Sequence, residues 1–470
     1  MPRPGLVLAL SLSLVAAAAP ALAAEGVQLD GKALGIWWAL PFAGLLLSIA
    51  ILPLAAPHLW HHHYGKITAA WAAAFIVPTV LIFGAGLAAH ELLHTALLEY
   101  VPFLILVGSL FCVTGNIHVK GNLHGAPLLN TGFLTLGTAL ASIMGTTGAA
   151  MLLVRPLIRA NDDRKHNAHV MIFFIFLVAN VGGSLTPLGD PPLFLGFLQG
   201  VSFFWTLQHL LLPMLLVSAI LLALFFAIDL YFYRREGRIK PDPTPDATVE
   251  IIGKVNFILL GAIVLAVLMS GSLKLGSLHV FGIELELQNV LRDVALIVIT
   301  IMSFRLTREE TREANEFAFG PVIEVAKLFA GIFVTIIPAI AILRAGREGA
   351  FAGLIGLVTH PDGSPNNAMY FWLTGGLSSF LDNAPTYLVF FNAAGGDAQQ
   401  LMGPLAQTLV AISAGAVFMG ANSYIGNAPN FMVKAIAESR GVKMPSFFGY
   451  MVWSGCILLP VFGLVTWVLF

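Results

Sequence analysis

Charge is what this sequence has least of. Only 10% of its 470 residues are Asp, Glu, Lys or Arg, while 58% are apolar, and 24 basic residues against 25 acidic ones leave a net charge of −1. A soluble chain carries about a quarter charged residues, so a water-facing surface around a protein of this size is excluded. With no excess of basic residues there is no electrostatic footprint for nucleic acid. Cysteine is nearly absent as well. Cys112 and Cys456 both lie in apolar runs, which excludes a disulfide framework and a thiolate metal site. What the chain does have is a succession of apolar runs of about 20 residues, the length that crosses a bilayer.

The first residues have the pattern of a secretory signal over 1–23. Arg3 is the positive start, Leu6 to Ala19 the apolar core, and Ala21-Leu22-Ala23 a small-residue cleavage site. An uncleaved first helix is the alternative. Beyond it, candidate spans are 35–56, 67–88, 98–118, 168–186, 205–233, 255–271, 288–304, 322–343, 403–421 and 446–469. Two further apolar segments, 130–156 and 366–392, are interrupted in the middle, by Gly145-Thr146-Thr147-Gly148 and by Asp382-Asn383-Ala384-Pro385. A break frees backbone polar groups, which hydrocarbon tolerates only where protein or a water-filled cavity covers them. Both segments therefore read as re-entrant hairpins.

A polar stretch from Arg234 to Asp246, with four basic residues and three prolines, divides the chain near its midpoint. The halves on either side share a motif. Gly183-Ser184-Leu185-Thr186-Pro187-Leu188-Gly189-Asp190-Pro191-Pro192 aligns with Gly420-Ala421-Asn422-Ser423-Tyr424-Ile425-Gly426-Asn427-Ala428-Pro429, an offset of 237 residues. The same offset carries Ser142 onto Ser379, Gly145-Thr146 onto Asp382-Asn383 and Ala149 onto Thr386. Two motifs in one register predict an internal duplication.

The flanking charges predict that the copies are inverted. Arg155, Arg159, Arg164 and Lys165 follow the first hairpin, whereas no base follows the second as far as Gln400. Lys434, Arg440 and Lys443 follow Asn427, whereas no base follows Asp190 through Leu230. Positive charge marks the cytoplasmic side, so matching loops fall on opposite faces. The expected architecture is an all-α polytopic membrane protein of two inverted repeats, 35–233 and 255–470, joined by a cytoplasmic linker over 234–254. Each repeat carries one re-entrant hairpin and one broken transmembrane helix.

Inverted repeats with broken helices mark alternating-access transporters, with the site near the midplane. Gly and Pro interrupt the helices and expose carbonyls. Thr146, Thr147, Thr186, Ser379, Asn383, Thr386, Asn422, Ser423 and Asn427 add neutral side chains whose oxygens can replace part of a cation's hydration shell. Asp190 and Asp382 add charge, and an acid within a membrane segment is a functional candidate by default. For each of the two, the competing role is a helix cap.

The runs Met144 to Gly148, Gly182 to Pro192, Glu324 to Phe329 and Asp382 to Thr386 resemble the ion transporter superfamily, and within it most nearly the NhaD-type sodium/proton antiporters, a group also labelled as citrate transporters. The resemblance extends from about Trp37 to the C-terminus. It implies two hairpins meeting two broken helices around a cation or carboxylate site, usually in a homodimer. The dicarboxylate branch carries Ser-Asn-Thr in its hairpins, where this chain has Met-Gly-Thr-Thr and Leu-Asp-Asn-Ala.

Several other groups have two readings. His90-Glu91-Leu92-Leu93-His94 matches a zinc-protease helix, with His360 as a third ligand, or else forms an amphipathic turn at the outer end of the second span. His61-His62-His63 is a solvated loop or a pH sensor. Glu324 and Lys327 share a helix face as an ion pair, or Glu324 carries protons. Glu99 is similarly open, and His118 and Lys120 are expected to end the third span at the interface.

The expected function is a sodium/proton antiporter of the bacterial inner membrane with no enzymatic activity and no cofactor, in which Asp382 and Asp190 exchange H⁺ for Na⁺. Protonation and cation binding at one buried carboxylate exclude each other, which is the basis of exchange. The alternatives are a carboxylate transporter, citrate being the example, and an intramembrane zinc protease. The surrounding partner is the lipid bilayer.

Overall fold

The computed structural model describes residues 29–236 and 247–470. The expected signal segment and residues 237–246 of the linker lie outside them. In chain order the main elements of the first half are α1 (Leu40–Ala55), α2 (Pro57–Phe83), α3 (Ala85–Gly115), β1 (His118–Asn122), α4 (Pro127–Met144), α5 (Thr146–Ala160), α6 (Ala168–Leu177), α7 (Pro191–Leu198) and α8 (Phe203–Glu236). Then come β2 (Ala247–Ile252), α9 (Val255–Ser272), β3 (Ser277–Val280), β4 (Ile283–Glu286), α10 (Leu287–Leu306) and α11 (Gly320–Arg344). The chain closes with α12 (Asn367–Ser378), α13 (Asn383–Ala393), α14 (Ala406–Met419), α15 (Ala428–Ser439) and α16 (Phe447–Leu469).

Among the described residues, nine helices are long and apolar enough to cross a membrane, and the shorter apolar segments Ala168–Ser184 and Ala406–Asn422 accompany them. The protein is an all-α polytopic membrane protein. Its outward faces carry exposed Leu, Ile, Val and Phe on α1, α2, α8, α10 and α16, the pattern of a surface in contact with lipid. The segments nearest the centre differ. Every residue of α6 from His169 to Leu177 is buried, as is every residue of α14 from Thr408 to Met419. A helix apolar and buried all round is enclosed by protein, so α6 and α14 form the innermost layer.

The breaks form where Gly and Pro dictate. Helix α4 ends at Gly145, whose φ of +80° suits a residue without a Cβ, and α5 restarts at Thr146. Helix α6 runs on through a 3₁₀ turn, Val181–Ser184, and the irregular stretch to Asp190 before Pro191 opens α7. Proline suits the first helical position, where its missing N–H has no intrahelical partner to lose. In the second half α14 gives way to a 3₁₀ turn, Gly420–Asn422, and α15 restarts after Asn427 with Pro429 in its first turn. In both breaks the chain folds back on itself. A Cβ on Gly189 would overlap the Gly183 carbonyl oxygen, and one on Gly426 would crowd that of Gly420.

Several expected boundaries are corrected. His61-His62-His63 is no loop but lies inside α2, which Pro57 opens and Gly84 (φ +88°) ends. The third span starts at Ala85, well before residue 98, and passes through a π turn at Ala96–Tyr100. Glu91 and His94 therefore belong to that span and line a cavity instead of standing in solvent; Glu91 Oε1 accepts the Leu29 N–H at 3.1 Å. His118 and Lys120 lie in β1, which pairs antiparallel with β2, so the linker ends in a strand. Lys327 makes no ion pair with Glu324 among the described residues and places its ammonium 5.2 Å from the centre of the Tyr64 ring.

A buried ionic network anchors the first hairpin. Asp229 on α8 accepts from Arg164 Nη2 at 2.9 Å and from Asn130 Nδ2 of α4 at 2.9 Å, and its Oδ1 lies 2.8 Å from His169 Nε2. Glu236 takes the Arg164 Nε at 2.9 Å. The Arg164 and Asp229 side chains are both 0% exposed. The pair is fully hydrogen-bonded, the condition under which buried charge is tolerated.

Candidate functional site

The four breaks meet at one carboxylate. Asp190 stands at the N-cap of α7 in extended conformation, and its own carbonyl accepts the Leu193 N–H at 3.1 Å. Its side chain makes no cap bond, which frees the carboxylate to face the centre of the protein. Oδ1 accepts from Thr146 Oγ1 at 3.0 Å and from Asn427 Nδ2 at 3.1 Å. Oδ2 accepts a short hydrogen bond from Asn383 Nδ2. Thr146 begins the second arm of the first hairpin, Asn383 that of the second, and Asn427 stands at the N-cap position of the second broken helix without a side-chain cap bond. Asp190, Thr146 and Asn427 are each 2% exposed and Asn383 is 0% exposed.

These four residues form two pairs at the 237-residue offset: Thr146 with Asn383, and Asp190 with Asn427. The bonding that braces them recurs at the same offset. Thr186 Oγ1 donates to the Ser142 carbonyl, and Ser423 Oγ to the Ser379 carbonyl at 2.5 Å. Leu188 N–H donates to Thr186 Oγ1 at 3.1 Å, and Ile425 N–H to Ser423 Oγ at 3.2 Å. Ser142 Oγ reaches the Gly182 carbonyl, and Ser379 Oγ the Met419 carbonyl. Each hairpin is thus stitched to the broken helix of its own half by the same two hydroxyl contacts, and the same local bond to the Thr186 or Ser423 hydroxyl braces the break itself.

The remaining candidates occupy supporting positions. Asn422 Nδ2 donates to Ser379 Oγ at 2.9 Å, and its Oδ1 is buried without a partner among the described residues. Thr386 Oγ1 bonds back to the Asp382 carbonyl of its own helix. Among the described residues Asp382 makes no hydrogen bond to the Asp190 group. Its Oδ1 accepts the Ala384 N–H at 3.1 Å and caps α13. Thr147 lines a cavity of about 110 Å³ that reaches Asp190 between α3, α5, α11 and α15.

Sequence reasoning missed Asn180 and Asn430. Asn180 Nδ2 donates to Asn430 Oδ1 at 2.7 Å, and Asn430 Nδ2 ties together the Gly420 and Ser423 carbonyls. The available signal was a lone amide in the apolar run 168–186 for Asn180, and for Asn430 its place in the repeated motif three residues after Asn427. The zinc alternative finds no geometry, since no group of three or more His, Cys, Asp or Glu among the described residues is disposed to hold a metal ion.

Broken helices meeting on one buried polar centre, inside a multi-pass bundle, define a membrane transporter. Residues 31–470 match a family model described as "Putative citrate transport", and the chain belongs to that family. A comparison with curated proteins found no match.

Proposed function

We propose that this chain is a secondary transporter of a carboxylate such as citrate, working by alternating access between two inverted repeats in a bacterial inner membrane. The support is the convergence of four half-helix N-termini, those of α5, α7, α13 and α15, on the Asp190 carboxylate. Each helix start bears about half a positive elementary charge from its unpaired N–H groups, and such ends face anionic groups in transporters of this architecture. In the resting site Asp190 is the anion that those dipoles hold. A substrate carboxylate that enters beside it adds a second negative charge, which a co-transported Na⁺ or a proton on Asp190 compensates. Substrate and coupling ion then bind together or not at all.

A second reading, sodium/proton antiport, is favoured by one further atom. Asn383 Oδ1 is buried beside Asp190 and has no hydrogen-bond partner among the described residues. With the carboxylate and the Thr146 hydroxyl it offers hard oxygens for Na⁺. Proteoliposomes separate the two readings. Citrate accumulation driven by an imposed Na⁺ or pH gradient supports the first; Na⁺-dependent proton movement with no citrate uptake sinks it and leaves the antiporter.

A further inference from the structure

We propose a second carboxylate-binding site, formed by Arg155 and Arg440 at the far ends of the two helices α5 and α15 that start at the Asp190 group, with Glu316 as its built-in occupant. The ligand class rests on the carboxylate reading above; the site itself rests on the arginines.

Helices α5 and α15 start side by side at the Asp190 group. With a rise of 1.5 Å per residue, Arg155 and Arg440 lie about 14 and about 20 Å along them. Glu316 bridges the two, its Oε2 accepting from Arg155 Nη2 at 3.3 Å and its Oε1 from Arg440 Nη2 at 2.5 Å. Arg159, one turn beyond Arg155, points its Nη2 at the Val119 carbonyl at 2.7 Å. Two guanidinium groups thus share one carboxylate, with a third, that of Arg159, one turn away on the same helix.

Two observations indicate that Glu316 does not satisfy this site. Arg155 is only 9% exposed, yet its Nε and Nη1 are buried with no partner among the described residues. A buried guanidinium with idle donors is costly, and further carboxylate oxygens accepting from its Nε and Nη1 would remove that cost. Glu316 also holds a φ of +51°, a left-handed conformation that a residue with a Cβ adopts under strain. Five and six residues further on, Pro321 and Val322 line the cavity that reaches Asp190, together with Thr147 on α5 and Met432 on α15. An acid that displaces Glu316 would therefore relax a strained residue and release the bridge between α5 and the end of α15. The surplus of donors selects an anion with two or three carboxylates over one with a single acid group.

The test is calorimetric titration of the purified full-length protein with citrate, comparing wild type, Glu316→Gln, Arg440→Gln and the double variant. Arg440 is exposed, so its replacement leaves folding intact. Removing an internal competitor held at roughly millimolar effective concentration should tighten citrate binding about tenfold in Glu316→Gln. Arg440→Gln should weaken it and cancel that gain, and acetate should respond little. Unchanged affinity in either single variant overturns the site. So does a heat that follows the phosphatidylglycerol content of nanodiscs instead of citrate, because the arginines then hold lipid headgroups. Arg440-dependent citrate binding in a protein that fails to transport citrate would sink the transport reading and leave this site standing. Transport with no Arg440-dependent binding would do the reverse.

Discussion

Asp190 and Asn427, 237 residues apart in the chain and equivalent in its repeated motif, are joined directly: the amide of one donates to the carboxylate of the other at 3.1 Å. The inequality of the pair matters as much as its proximity. Two carboxylates at that distance would compete for one proton, and two amides would leave the helix starts without an anion. One acid and one amide give a single charge, surrounded by three donors.

Replacing that acid should stop transport. In Asp190→Asn the new amide must present an N–H to at least one of its former donors, and each unsatisfied buried group costs about 1–3 kcal/mol. Substrate uptake should fall by at least about tenfold, by the conversion of 1.4 kcal/mol per factor of ten, in protein that still elutes as a folded species from size exclusion. Wild-type uptake in this variant would show that Asp190 is not part of the transport site.

Asp382 separates a cap from a carrier. Asparagine caps a helix about as well as aspartate, while alanine costs about 0.5–2 kcal/mol. Asp382→Asn should therefore keep both stability and transport, and Asp382→Ala should lower the melting temperature. Loss of ion coupling in Asp382→Asn with unchanged melting would identify Asp382 as the proton carrier.

The ion network on α8 should be the scaffold's weak point. Asp229→Ala takes the acceptor from Arg164 Nη2, Asn130 and His169 and leaves Glu236 as the one carboxylate on the guanidinium; breaking a buried pair costs about 3–5 kcal/mol. Thermal unfolding in detergent should show a large drop, with a smaller one for Asp229→Asn. A melting point within error of wild type would mean that Glu236 alone suffices to hold the guanidinium.

Topology is open to labelling. Lys165 and Lys443 are both exposed, and inversion of the repeats predicts that both face the cytoplasm. In a Cys456→Ser background, an impermeant thiol reagent should label Lys165→Cys and Lys443→Cys from the same side of the membrane. Labelling from opposite sides would rule out inverted repeats.

The breaks at Gly145, Gly189 and Pro191 were legible in the sequence because they are local: a positive φ, a close approach and a missing N–H each select their residue. Which acid would turn to the centre was not legible. Asp190 and Asp382 both precede a half-helix, and only the packing of one half on the other brings Thr146, Asn383 and Asn427 around the first and leaves the second on its own backbone. His61-His62-His63 looked like a loop on polarity alone, although Pro57 opens a helix four residues earlier. Asp229, an acid within the apolar run 205–233, was a signal left unused.

The pairing of β1 with β2 has a consequence for the middle of the chain. The last residues of the linker are hydrogen-bonded to the loop after α3, so a cut anywhere in 237–246 would leave the second fragment with a strand that docks on the first. Two separately translated pieces, co-expressed, would carry their own means of recognition, and the natural place to split the protein for complementation is upstream of that strand.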